Sequence, residues 1–162
     1  MTLHSDEARR RQQEANAGLF VRVKAYCVLF NPEHTHHLVC VGRDPRDGTI
    51  VHRLLGGHVE FGEYAIDAAV REIEEEVGVE IPTPSLLAVV ENIFEFHGMW
   101  GHEVIFVYHA ELAHPLPIPP EGGHIDDDGV VVACVWRPLA DDDECVLHPE
   151  GLSGQLRRLS LG

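Results

Sequence analysis

The stretch that most constrains this chain is Gly57–Val79, GHVEFGEYAIDAAVREIEEEVGV. It reads as a glycine-bounded turn that becomes a helix and ends at Gly78, a residue suited to the left-handed conformation that stops helices. Ile66, Ala69, Val70, Ile73 and Val77 recur at steps of three and four, the single apolar stripe of an amphipathic helix. Glu72, Glu75 and Glu76 are also three and four apart, so at ~100° per residue they share an arc of about 100° beside that stripe. The expectation is a helix that packs on one side and gathers three negative charges on the other.

That arrangement needs an answering charge. Like charges at helical spacing repel by about a few tenths of a kcal/mol per exposed pair. Glu72, Glu74, Glu75 and Glu76 also crowd the negative end of the helix dipole, where only Arg71 is at hand. A solvated acidic face is the plain reading of a Glu-rich helix. A hard divalent cation is the alternative, since Mg²⁺ binds through a few carboxylates together with substrate phosphates.

The spacing decides between them. Gly57, five residues, Glu63, seven residues, then Arg71-Glu72-Ile73-Glu74-Glu75-Glu76-Val77-Gly78-Val79 resembles the complete Nudix box, a pattern far more specific than a lone glycine motif. The strict resemblance covers 23 residues, and a looser one runs from about Val21 to Leu152. It implies an α/β fold, the Nudix α/β/α sandwich with a mixed sheet between helices. It also implies metal-dependent cleavage of a nucleoside diphosphate linked to another group. By the resemblance, Glu72, Glu75 and Glu76 are metal ligands, with the backbone carbonyl of Gly56 as an extra one. Mg²⁺ is the implied ion, with Mn²⁺ able to substitute. Glu63 and Arg71 match positions that orient the loop and helix, and Arg71 is counted with the catalytic set. Leu55 stands where many relatives have proline, outside the strict box.

A chain of 162 residues, 44% hydrophobic, suits one domain with a proper core; we expect residues 19–162 to form it and residues 1–18 to be a polar arm. The arm's Arg9–Arg11 run reads as solvated charge. A formal charge of −15 argues against a nucleic-acid partner, which usually meets a basic face, but is compatible with a small nucleotide-type substrate neutralised locally. Cys27, Cys40, Cys134 and Cys145 form no CxxC pair and read as free thiols in a reducing cytosol. The first twenty residues lack the apolar core of a secretory signal, and no run approaches the ~18 apolar residues of a membrane span. The expectation is a cytoplasmic protein with no membrane partner. Family members are often dimers, so the resemblance leaves a homodimer open.

Leu19–Phe30 reads as a strand whose Arg22 and Lys24 share one side. Relatives carry basic residues there to meet substrate phosphate; cations on an edge strand that discourage aggregation are the plain alternative. His34, His36 and His37 fall in an expected hairpin loop without acidic company and read as surface histidines. Leu38–Gly42 and Ile50–Leu55 read as strands, the second leading into Gly56-Gly57, where the missing β-carbons allow close approach to metal and phosphate.

Beyond the helix, Leu86–Phe96 and His102–Leu112 read as an antiparallel hairpin turning at Gly98–Gly101; Glu95, Phe96, Met99 and Trp100 near its tip read first as packing residues, with a wall for a base or sugar as the alternative. Ala113–Gly129 reads as a loop, Val130–Trp136 as the last strand and Gly151–Leu159 as a closing helix. His102-Glu103 is similar to a pair in one branch of the family, which makes Glu103 an additional acid near the metal. Glu121, Asp126, Asp127 and Asp128 compete for that role; Glu103 is favoured because a strand end positions a carboxylate better than a loop. The chemistry so implied is attack by water on phosphorus, with a helix glutamate, Glu103 or an acid within Glu121–Asp128 as general base. A non-catalytic nucleotide sensor on the same fold is the rival, although such proteins typically lose box glutamates and this chain keeps them all.

Overall fold

Strand β1 (Arg22–Leu29) runs through the middle of the molecule because, past its charged start at Arg22 and Lys24, it has little that water could solvate. Ala25, Cys27 and Leu29 face one way, Tyr26 and Val28 the other, and all five are buried. A strand apolar on both faces needs cover on both. Helix α1 (Ala65–Val77) supplies it on one side through Ala68, Ala69 and Ile73; helix α2 (Leu152–Ser160) supplies it on the other through Leu152 and Leu156. The computed structural model describes residues 19–44, 46–96, 98–140 and 145–160, so the arm expected at residues 1–18 lies outside the described residues.

The α/β sandwich expected from the sequence is the fold found, but its strands form two mixed sheets rather than one. In the first, β4 (Leu55–His58), β1, β6 (Met99–Ala110) and β5 (Ser85–Phe96) lie side by side. In the second, the order is β7 (Gly123–Asp127), β8 (Val130–Pro138), β2 (His36–Arg43), β3 (Ile50–Arg53) and β9 (Val146–His148). β1 runs parallel to β6 and β3 parallel to β9, while the other pairs are antiparallel. The chain changes sheets at Leu54, which splits the single strand expected at Ile50–Leu55.

Three further expectations are corrected. Gly56 and Gly57 are strand residues, paired with Tyr26 and Ala25, and the turn falls later, at Phe61-Gly62. The loop expected at Ala113–Gly129 holds β7, whose single buried residue, Ile125, is flanked by exposed His124 and Asp126 and left almost no alternation to read. β1 lies between β4 and β6, so Arg22 and Lys24 are not guarding a sheet edge.

The histidine tract straddles the start of β2, and the two-residue period turns His37 inward. It is 1% exposed rather than on the surface, and its Nδ1 has no hydrogen-bond partner among the described residues. Burial, with Arg137 nearby, holds its imidazole down at about 3. An unfolded histidine titrates near 6.5, so the neutral form contributes stability above that pH, and the contribution is lost as pH falls toward 3. Wild type should lose on the order of 1 kcal/mol per pH unit more than His37→Leu between about pH 6 and 4, read as urea midpoints.

Candidate functional site

The acidic helix ends as its sequence requires. Gly78 takes φ 74° and donates its N–H to the Glu74 carbonyl, and no basic residue occupies the last turn. The expected separation of apolar and charged faces does not hold. Glu72 and Glu76 are on the buried side, 9% and 6% exposed, and Glu75 alone of the three stays out in solvent. The apolar stripe is too narrow to cover β4, and two carboxylates take the remaining positions against its glycines.

Those glycines are why the carboxylates fit. A β-carbon on Gly57 would stand 2.5 Å from Glu72 Oε1. The Gly56 N–H donates to Glu76 Oε2 at 2.9 Å. Burial pushes the Glu76 carboxyl up to about 8; the Gly56 hydrogen bond opposes this, and the charges of Asp127 and Glu72 add to it. Glu72 is raised as well, by burial, with Arg71 acting against it.

Arg71 organises the surface of this cluster. Its Nε and Nη2 bind the two oxygens of Glu63 at 2.9 and 3.0 Å, a bidentate pair, while Nη2 also donates to the His58 carbonyl at 3.0 Å. Its Nη1 lies between Glu72 Oε1 at 2.9 Å and Glu75 Oε2 at 3.1 Å. Glu63 accepts in addition from the Glu60 N–H at 3.0 Å, which closes the turn ahead of the helix, and these bonds hold its carboxyl below the usual range.

Among the described residues no three His, Cys, Asp or Glu side chains converge as a metal cage. The donors nevertheless suit a divalent cation. They are hard carboxylate oxygens, two of them desolvated at a cost, and Glu72 and Glu75 already share one cationic NH group. Glu63 and the His58 carbonyl would keep Arg71 anchored if Nη1 gave way.

Glu103 is held by the cations of β1. It is 6% exposed and bound to Lys24 Nζ at 3.1 Å, with Arg22 Nε at 3.8 Å and Asn92 Nδ2 at 3.3 Å. The register sets Arg22 opposite Glu103 on parallel strands, and the two cations expected to meet phosphate both lie against this carboxylate. Burial alone would lower the Lys24 ammonium, but Tyr26 and Glu103 reverse the sign and leave it raised. The acids that act on the helix carboxylates come from the end of β7: Asp127 on Glu76, and Asp128 on Glu72. Asp126 caps the turn by accepting from the Gly129 N–H at 2.6 Å, and Glu121 is exposed.

A cleft of about 490 Å³ runs past Glu103 and its partners Lys24 and Asn92. Lys24, Tyr26, Arg53, Asn92, Phe94 and Glu103 lie along it, and Arg43 and Arg46 stand at its rim with Asp44 and Glu150. Glu95 lines it as well, whereas Met99 and Trp100 are exposed at the hairpin tip and do not; the Phe96 side chain lies outside the described residues. Arg53 and Phe94 were not legible as cleft residues. Arg53 lies three positions before Gly56, a signal that becomes usable only once β4 is known to seat Glu76.

The NUDIX domain family matches residues 21–149. MutT4 of Mycobacterium tuberculosis is 28% identical over 111 residues, 68% of this chain and 42% of that protein. An isopentenyl-diphosphate Delta-isomerase of Cereibacter sphaeroides is 32% identical over 106 residues, 62% of this chain and 54% of that protein. The matches thus span about half the length of these curated relatives. Among solved structures, a MutT NUDIX hydrolase from Burkholderia pseudomallei superposes with a TM-score of 0.64 at 25% identity, covering 86% of this chain and 98% of its own. A domain match over most of the chain, with that likeness in fold, leads to one conclusion: the chain belongs to the Nudix family.

Proposed function

We propose that this protein is a cytoplasmic pyrophosphohydrolase, cleaving a nucleoside diphosphate derivative by attack of water at phosphorus. One observation carries the reading. Glu72 and Glu76 are buried against Gly57 and Gly56, Glu72 answered by Arg71 and Glu76 by the Gly56 N–H and the charge of Arg53, and burial still raises both carboxyls, a cost that marks a functional site. Glu72, Glu75 and Glu76, with the Gly56 carbonyl, would hold Mg²⁺, or Mn²⁺ in its place. Bound there, the ion supplies charge neutralisation at the phosphoryl oxygens and acidifies water. Arg71 fixes Glu72 and Glu75 through its grip on Glu63, and Lys24 and Arg22 stand ready to trade Glu103 for a phosphate oxygen. Asp128, exposed and acting on Glu72, is the acid we take to receive the proton, because Asp127 is paired with Arg53 and Glu103 with Lys24.

The test is a product-resolved panel with Mg²⁺: ADP-ribose, NADH, diadenosine polyphosphates, nucleoside di- and triphosphates, and isopentenyl diphosphate. Two monophosphates would identify sugar-linked or dinucleotide substrates, and pyrophosphate would identify triphosphates. Isomerised isopentenyl diphosphate with no phosphate release would sink the hydrolase reading, and so would binding without turnover across the panel.

Metal binding carries its own signature. Glu76 must be ionised to act as a ligand, and it is protonated more readily here than in water. Mg²⁺ should therefore raise Tm by about 4–8 °C above pH 8 and by clearly less near pH 6. A pH-independent shift would remove Glu76 from the ligand set.

A further inference from the structure

We propose that Arg53 is the specificity-determining clamp that grips the substrate's phosphate chain between Asp127 and the cleft. The inference rests on the hydrolase reading above and adds to it a residue that grips the substrate.

Cations are scarce in this chain: 12 Lys and Arg against 27 Asp and Glu, with Lys24 the single lysine. Four of the twelve, Lys24, Arg43, Arg46 and Arg53, nonetheless line one cleft. Two of these have local duties that keep them at the rim: Arg46 pairs with Asp44, and Arg43 donates to the Gly48 carbonyl at 3.1 Å. Lys24 is engaged with Glu103. Arg53 differs in what it joins. It is the last residue of β3, three positions before the glycine whose N–H holds Glu76. Its Nη2 donates to Asp127 Oδ2 at 3.0 Å, and Asp127 belongs to the acids acting on Glu76. Its side chain is 43% exposed, so it is held by one carboxylate and still open to the cleft. A guanidinium presents five N–H groups in a planar fork, and one bond to Asp127 leaves others for a phosphoryl oxygen.

The remaining wall of the cleft suits a nucleoside attached to that phosphate. A volume of about 490 Å³ is in the range that encloses a drug-sized ligand, well beyond a five-carbon chain. Ile93 and Phe94 offer apolar surface, and the Asn92 amide, within reach of Glu103, offers donor and acceptor atoms for a base or sugar. Apolar walls with a few placed polar groups are how such pockets fix orientation.

The experiment is calorimetric binding of AMP, GMP and UMP, and of the matching nucleosides, to the full chain with saturating Mg²⁺. It compares wild type, Arg53→Ala and Arg53→Lys, with circular dichroism and Mg²⁺ affinity measured on each. Arg53→Ala should bind the preferred monophosphate at least about 10-fold more weakly, with nucleoside and Mg²⁺ affinities unchanged, and Arg53→Lys should recover part of the loss. The proposal is overturned by wild type that binds none of the three monophosphates, by an unchanged affinity in Arg53→Ala, or by parallel loss of Mg²⁺ affinity. Wild type that binds a monophosphate through Arg53 yet cleaves nothing would sink the hydrolase reading alone; turnover with an indifferent Arg53→Ala would sink the clamp alone.

Discussion

Replacing Glu76 with glutamine is expected to lower turnover by on the order of 10³-fold while making the metal-free protein more stable at alkaline pH. Both halves have one cause. The carboxyl group accepts the Gly56 N–H and is 6% exposed, so its charge is costly when no cation answers it. A glutamine carbonyl can accept the same hydrogen bond without the charge. The folded carboxyl is raised to about 8 from an ordinary value of 4.5, so the folded protein holds a proton that the unfolded chain releases between those values. The stability this provides is fully present below about pH 4.5 and is lost as pH rises through 8, on the order of 1 kcal/mol per pH unit in between. Glu76→Gln has no such titration, so the gap in urea midpoint should open across that window in the presence of a chelator. Saturating Mg²⁺ should then close or reverse it. Undiminished turnover in Glu76→Gln would remove this carboxylate from the chemistry, and an unstabilised variant would remove the charge-burial account.

The two strand glycines should fail in different ways when given a β-carbon. Gly56 has φ 128°, a backbone conformation that L residues rarely adopt, and an added β-carbon would collide with the Ala25 carbonyl oxygen and stand 2.8 Å from the Tyr26 Cα. Both obstacles are backbone of the central strand and cannot step aside. Gly56→Ala should cost at least about 3 kcal/mol and yield little folded protein. At Gly57 no such φ is imposed, and the obstacle is the Glu72 carboxylate, the far end of a side chain. Gly57→Ala should fold near normally, with a Tm within a few degrees of wild type, but bind Mg²⁺ and turn over about 10–100-fold less well because Glu72 is displaced. Measuring soluble yield, Tm and Mg²⁺ affinity on both variants separates the two roles; equal stability losses would contradict the geometric distinction.

How much was legible beforehand varied with the range of the interaction. The helix from Ala65 to Val77 and its stop at Gly78 are local features, set by periodicity and by a residue free to enter the left-handed region, and they stand close to where the pattern put them. The Glu63–Arg71 contact spans a turn and two helical turns, and a motif could anticipate it. His37 was misjudged because a single residue of strand register moves a side chain from solvent to core. β7 was missed because its alternation is confined to one buried isoleucine. That Glu103 is paired was not legible, because which cations lie across from a strand end depends on its neighbour in the sheet, here the strand carrying Arg22 and Lys24.

By itself, then, the sequence determined the kind of chain this is: an α/β protein built around an acidic helix, whose spacing of glycine, glutamate and arginine allows few other meanings. Only the tertiary structure decided that Glu72 and Glu76 turn inward onto β4, that β7 brings Asp127 to bear on Glu76 and Asp128 on Glu72, that Glu103 pairs with Lys24, and that Arg53 both binds Asp127 and lines a cleft. The physical reason is that periodicity specifies which residues share a face, whereas burial and electrostatic company are properties of the surface that face meets.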